Sequence, residues 1–130
     1  RTHMTLWAML AAPLLAGNDL AAMTPETLSI LTNHDVIAID QDALGRQGDR
    51  VAAEGPLEVW ARPLAGGGTA IAIFNRWTMP LTMTFDLKDA GIHGSVHLED
   101  LWAKKDLGSF KGSYTTALVP PHGVILLRAQ

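Results

Sequence analysis

The run from Asp35 to Gly48 divides the chain into two kinds of sequence. Val36 to Ile39 are four consecutive apolar residues without alternation, a pattern that suits a buried parallel strand covered on both faces. Asp40 to Gly48 is a polar exit punctuated by Gly45 and Gly48. Before the run, helical and strand patterns alternate. After it, apolar stretches are short and bounded by turn residues. The run therefore closes one architecture and opens another.

Upstream, Met4, Trp7, Ala8 and Ala11 recur at helical spacing. Leu6, Met9 and Leu10 make the other faces apolar too, so this helix is expected to be buried widely. It should end by Ala12, because the residue before Pro13 disfavours the helical region. Pro13 to Ala16 reads as a short buried strand with Gly17-Asn18-Asp19 as its exit. Thr24-Pro25-Glu26 is a helix start: Thr24 can cap, Pro25 fits the first helical position, and Glu26 favours the positive end of the dipole. Leu28 and Leu31 should face inward and Asn33 should stop the helix. Arg1 to Trp7 already reads as helix interior with no capping residue ahead of it, so the chain is expected to continue upstream.

Downstream, Arg50 to Ala53, Leu57 to Pro63, Thr69 to Asn75, Leu81 to Leu87, Ser95 to Leu101, Tyr114 to Val119 and Val124 to Arg128 are strand candidates. Gly55-Pro56, Gly66-Gly67-Gly68, Asp89-Ala90-Gly91, Gly108, Gly112 and Pro120-Pro121 are the turns between them. Leu81, Met83, Phe85 and Leu87 alternate with polar partners, as a half-buried antiparallel strand does. So many short strands read as a sandwich. The fold class expected is thus α/β followed by all-β, with a boundary between residues 48 and 49.

Composition narrows the functional classes. A net charge of −3 with no basic cluster argues against nucleic acid or an anionic membrane as partner. There are no cysteines, which excludes disulfides and thiolate metal sites. No apolar run reaches the roughly 18 residues of a membrane-spanning helix. The five histidines make no ligand pair on a shared helical face, so no metal and no cofactor is expected.

Five stretches in order carry a family resemblance. Asp35-Val36-Ile37-Ala38-Ile39-Asp40-Gln41-Asp42, with Leu44-Gly45 and Gln47-Gly48 after it, resembles the segment that ends the catalytic barrel of family 27 glycoside hydrolases, the α-galactosidases and α-N-acetylgalactosaminidases. Trp7 to Leu20 is similar to the segment before it. Glu58-Val59-Trp60-Ala61-Arg62-Pro63-Leu64, Asp100-Leu101-Trp102 and Val119-Pro120-Pro121-His122-Gly123 resemble the family's C-terminal β domain. Ala43 departs from the pattern, where the family usually has Pro. The resemblance implies that residues 1–48 are the last two βα units of a (β/α)₈ TIM barrel, with Pro13 to Ala16 as strand seven and Val36 to Ile39 as strand eight. It implies that residues 49–130 are an antiparallel β-sandwich domain.

The resemblance also implies retaining hydrolysis of a terminal α-galactoside by two aspartates. In the family's order both precede this stretch, so no catalytic residue is assigned here and the chain alone is expected to be inactive. The missing upstream barrel segment would be its partner, and a homo-oligomer is compatible. Family members are commonly secreted, periplasmic or lysosomal. The candidate pocket residues are Asn18 and Asp19, because a barrel's active site gathers beyond the C-terminal ends of its strands. Asp19 could equally satisfy backbone N–H groups of its own loop. Asp40, Gln41 and Asp42 invite the same two readings, with Asp42 as a turn cap. Trp60 and Trp77 are candidate sugar-stacking residues, or else packing residues of a domain interface. The rival readings of the whole are a non-catalytic carbohydrate-binding β-sandwich and a purely structural domain.

Overall fold

A computed structural model describes residues 1–130. Its centre is a six-stranded antiparallel sheet covered on one face by helices and on the other by a small second sheet. The strands are β1 (Asp49–Glu54), β2 (Leu57–Pro63), β3 (Thr69–Asn75), β4 (Thr84–Asp86), β5 (Ser95–Asp100), β6 (Lys105–Lys111), β7 (Ser113–Thr115) and β8 (Val124–Ala129). The large sheet runs β1-β2-β3-β8-β5-β6, and β4 pairs with β7 in the small one. Three helices precede them: α1 (Thr2–Leu10), α2 (Pro25–Leu31) and α3 (His34–Asp40).

The pleat sorts the two cores. Leu57, Val59, Ile71, Ile73, Ile125 and Leu127 point toward the small sheet, where they meet Met83, Phe85, Leu87 and Tyr114. Their neighbours in sequence point the other way. Ala70, Ala72, Phe74, Val124 and Leu126 meet Met4, Ala8 and Met9 of α1 and Val36 and Ile39 of α3. This is why β3 and β8 read as unbroken apolar runs: both of their faces are covered. Ala70 and Ala72 are small, so α1 can lie close against the sheet at Ala8, which is fully buried.

The structure corrects both barrel-strand expectations. Val36 to Ile39 is not a strand but the body of α3. The Asn33 side chain accepts from the N–H groups of Asp35 and Val36, and Asp35 lies in the first turn, so a helix starts where a strand was expected. Val36 and Ile39 then share the inward face, one turn apart. Pro13 to Ala16 forms no strand; Leu15 is 80% exposed and no neighbouring strand pairs with the segment. Asn33 does not simply stop α2, which ends at Leu31, but opens α3. Leu28 faces outward, half exposed.

In the sheets, β2 and β3 have the expected bounds. The alternating stretch from Leu81 shortens to β4, with Leu81 in an isolated bridge to Val119 and Leu87 entering a 3₁₀ turn. The strand expected from Tyr114 to Val119 shortens likewise to β7. The edge strand β6 was not expected. It is polar, and Gly108, at φ 86°, sits in a bulge that shifts its register against β5.

Polar contacts bind the helices to the sheet. The Thr5 hydroxyl, fully buried in α1, accepts from the Trp102 indole N–H at 2.8 Å. Asn33 Nδ2 donates to the Leu101 carbonyl at 3.2 Å. Arg128 on β8 reaches Glu99 at 3.4 Å and Asp35 of α3 at 3.5 Å. The connection into β1 passes through Gly48, whose N–H donates to the Met9 carbonyl at 2.6 Å. A Cβ there would stand 3.0 Å from the Ala61 carbonyl oxygen, so the close approach requires glycine.

Candidate functional site

On the helix-facing side of the large sheet, two places bring polar side chains together. The first is buried. Arg62, on β2, has no exposed surface. Its guanidinium donates to the carbonyl of Ala8, in the last turn of α1, and at 3.2 Å to the carbonyl of Asp40, the last residue of α3. A cation is thus placed at the negative ends of two helices at once. Burial pulls the Arg62 pKa down, against the charges of Asp40 and Asp42. Burial pushes the Asp40 carboxyl above its ordinary range, and the Arg62 charge partly offsets this. Asp40 Oδ1 and Arg62 Nε are enclosed without hydrogen-bond partners. This arrangement ties helices to sheet and is closed to a substrate.

The second place is open. Glu58, Trp60 and Arg62 alternate along β2 onto the helix-facing side. Across the sheet, Trp60 stands level with Ala72 and Leu126, both fully buried. Trp60 itself remains half-buried, in a groove of about 340 Å³ whose walls include Thr2 and Leu6 of α1 and Arg76 and His122 of two loops. The indole N–H donates to Glu58 Oε2 at 3.1 Å, and the ring meets Phe74 edge to face at 6.4 Å. Both contacts fix its orientation. Glu58 Oε1 accepts from Arg76 at 2.9 Å and from Arg50 at 3.4 Å. Burial works against the Glu58 charge, but hydrogen bonds from Arg76 and Trp60 and the charges of Arg76 and Arg50 outweigh it, holding its pKa below the usual range.

Of the residues singled out from sequence as site candidates, Trp60 alone lines this groove. Trp77 follows Arg76, is 53% exposed, and its carbonyl accepts from the N–H of His122 at 3.1 Å. Asn75 fixes this corner. Its Oδ1 accepts from the Trp77 N–H, and its Nδ2 donates to the carbonyls of Met79 and Val119. Asn18 and Asp19 lie elsewhere, both exposed in the irregular stretch after α1. Asp19 Oδ1 accepts from the Ala21 N–H at 2.9 Å, a turn within its own loop. Asp42 Oδ1 accepts from Leu44 N–H and, across the fold, from Ala65 N–H.

Arg76, His122 and Thr2 were not singled out from sequence. Their gathering around Trp60 depends on loops far apart in the chain, and no local pattern announces it. No three side chains among His, Asp and Glu form a metal-binding group. A smaller apolar cavity of about 220 Å³, lined by Met4, Trp7, Leu14, Leu15, Leu31 and Ile37, opens between α1 and the stretch that follows it.

Comparison with known proteins gives this architecture a family. Residues 54–129 match the family model described as alpha galactosidase C-terminal beta sandwich domain, and residues 1–42 match the one described as alpha galactosidase A. A probable alpha-galactosidase of Dictyostelium discoideum is 44% identical over 131 residues, covering 97% of this chain and 34% of its own length. An alpha-galactosidase of Coffea arabica is 42% identical over 120 residues, covering 91% and 32%. Among solved structures, alpha-galactosidase I of Mortierella vinacea superposes with a TM-score of 0.93 at 31% identity, over 99% of this chain and 34% of its own. A family 27 β-L-arabinopyranosidase of Geobacillus stearothermophilus superposes with a TM-score of 0.91 at 34% identity, over 100% and 29%. The chain spans about a third of the length of the relatives it matches. With both of its parts matched in the same order, the chain belongs to glycoside hydrolase family 27, the α-galactosidase family, and carries that family's C-terminal β-sandwich domain.

Proposed function

We propose that this chain serves a retaining glycosidase that removes terminal α-galactose from oligosaccharides or glycoconjugates, and that it supports the reaction without performing it. The observation that carries the reading is the match over both parts of the chain, helices and sandwich, to α-galactosidases. The carboxylates here fit a supporting role. Asp40 has one carboxylate oxygen buried near Arg62, Glu58 is held by two arginines and an indole, and Asp19 is engaged in its own loop. Retention requires a nucleophile and an acid partner about 5–5.5 Å apart, and on this reading that pair lies upstream of these residues. On this reading Asn18 and Asp19 face the pocket of the whole enzyme, and the segment upstream completes the barrel.

The related chemistries bound the substrate. A β-L-arabinopyranoside has the ring configuration of an α-D-galactopyranoside and lacks only the C5 hydroxymethyl group. N-acetylgalactosamine differs at C2. A panel of the three p-nitrophenyl glycosides therefore tests the reading. The full-length protein carrying these residues should release nitrophenol fastest from the α-galactoside, and residues 1–130 alone should release none. Turnover by residues 1–130 alone would overturn the supporting role. Failure of the full-length protein on all three glycosides would overturn the glycosidase reading.

A further inference from the structure

The groove at Trp60 has more organisation than the stability of the fold demands. Glu58 is nearly covered, at 13% side-chain exposure, while its two arginine partners are 57% and 71% exposed. Ion pairs with so exposed a partner contribute little to folding. What they do accomplish is geometric. Arg50, Arg76 and the Trp60 N–H converge on one carboxylate, so the indole plane and the polar groups beside it are fixed in advance of any contact. Along the same row of the sheet Ala72 and Leu126 are sealed by the helices, whereas α1 passes Trp60 only at its first turns and leaves the ring at the wall of a groove. The volume of about 340 Å³ falls within the roughly 300–1,000 Å³ of small-molecule sites.

We propose that this groove binds a neutral pyranose, with the Trp60 indole as its stacking face and Arg76 and Glu58 as its hydroxyl partners. A pyranose offers one apolar patch of C–H groups and several hydroxyls around its edge. Galactose, with an axial C4 hydroxyl, presents a continuous C–H face over C3, C4 and C5 that suits an aromatic ring. The Arg76 guanidinium spends one N–H on Glu58 and keeps the others for donation, and its fork spans two adjacent hydroxyls. Glu58, ionised at neutral pH, already accepts three hydrogen bonds and keeps one lone pair, on Oε2, to accept from a third hydroxyl. No charged substituent is called for, because Glu58 offsets one of the two arginine charges and both guanidiniums stay exposed to water.

The test uses the full-length protein with its tryptophan side chains labelled with ¹⁵N, and reads the Trp60 indole resonance directly. D-galactose is the probe and D-glucose the comparison. The site predicts a saturable shift of the Trp60 resonance with D-galactose in the millimolar range, stronger than with D-glucose. Arg76→Ala and Trp77→Ala alter exposed side chains and should leave the protein folded by circular dichroism. Arg76→Ala should weaken the response about tenfold, a change of about 1.4 kcal/mol, and Trp77→Ala, outside the groove lining, should leave it as it was. No shift up to about 50 mM galactose overturns the proposal, and so does a shift unchanged by Arg76→Ala. Hydrolysis of the α-galactoside is followed in the same preparations. A Trp60 response sensitive to Arg76 in a protein without glycosidase activity supports the groove and sinks the hydrolase reading. Hydrolysis with a silent Trp60 does the reverse.

Discussion

A guanidinium with no exposed surface is costly to hold, and Arg62 is held by the helix ends it faces. Removing it by Arg62→Ala leaves the Ala8 and Asp40 carbonyls and the Asp40 carboxylate enclosed without a cation. Breaking a buried charge arrangement from one side costs about 3–5 kcal/mol, and that is the destabilisation expected in a urea titration. Arg62→Lys should recover only part of it, because one ammonium cannot repeat a fork that reaches two carbonyls on separate helices. The variant also carries a pH signature. Burial already raises the Asp40 pKa, and Arg62 is the charge that opposes the rise. Without Arg62 the folded protein should hold that proton to still higher pH than the unfolded chain does. Stability from this carboxyl is then fullest below its unfolded pKa and is lost as pH rises through the folded one. Acidification from neutral pH toward that lower limit should therefore recover melting temperature in Arg62→Ala relative to the parent. An unchanged difference between the two proteins across this range would show that Asp40 is not coupled to Arg62.

At the scale of elements, α3 shows how little separates a helix from a strand in a short apolar run. Asn33 performs two tasks at once: Oδ1 caps the helix at Asp35 and Val36, and Nδ2 satisfies the buried Leu101 carbonyl. Asn33→Ala should cost about 1 kcal/mol for the cap and about 1–3 for the orphaned carbonyl, and should speed amide exchange at Asp35 and Val36. Exchange unaltered at those two amides would mean that packing alone holds the helix. The same residues explain what the sequence could convey. β2 and β3 were legible to the residue because turn residues flank both, around the alternation of β2 and the apolar run of β3. α3 was not, since four apolar residues in a row satisfy either period and the deciding contact is to Leu101, far along the chain. β6 was hidden because an edge strand is kept polar and Gly108 serves its bulge, which reads locally as a turn. Of the open site, Trp60 was visible as an aromatic on a polar background. The convergence of Trp60 with Arg76 and His122 belongs to the loops that fold over it.

For the whole molecule, the boundary between residues 48 and 49 is a change of architecture and not a seam. The large sheet serves both cores, and removing the helices would bare Phe74, Val124 and Leu126 together with Ala70 and Ala72. Covering a large apolar side chain is worth about 1.5–3 kcal/mol, so the three largest alone account for about 5–9 kcal/mol. That is comparable with the entire stability of an ordinary domain, about 5–15 kcal/mol. It would come with the loss of the Thr5–Trp102, Asn33–Leu101 and Arg62–helix contacts, which would leave Arg62 charged on an open apolar face. Residues 49–130 produced alone should therefore bind a hydrophobic dye, associate on size exclusion, and melt well below residues 1–130. Replacing Phe74 and Leu126 by Thr in that excised form should restore solubility, since both lie on the face the helices had covered. A monodisperse 49–130 that melts within a few degrees of the longer chain would show that the sandwich is self-sufficient. The helices would then be passengers on a face that tolerates water.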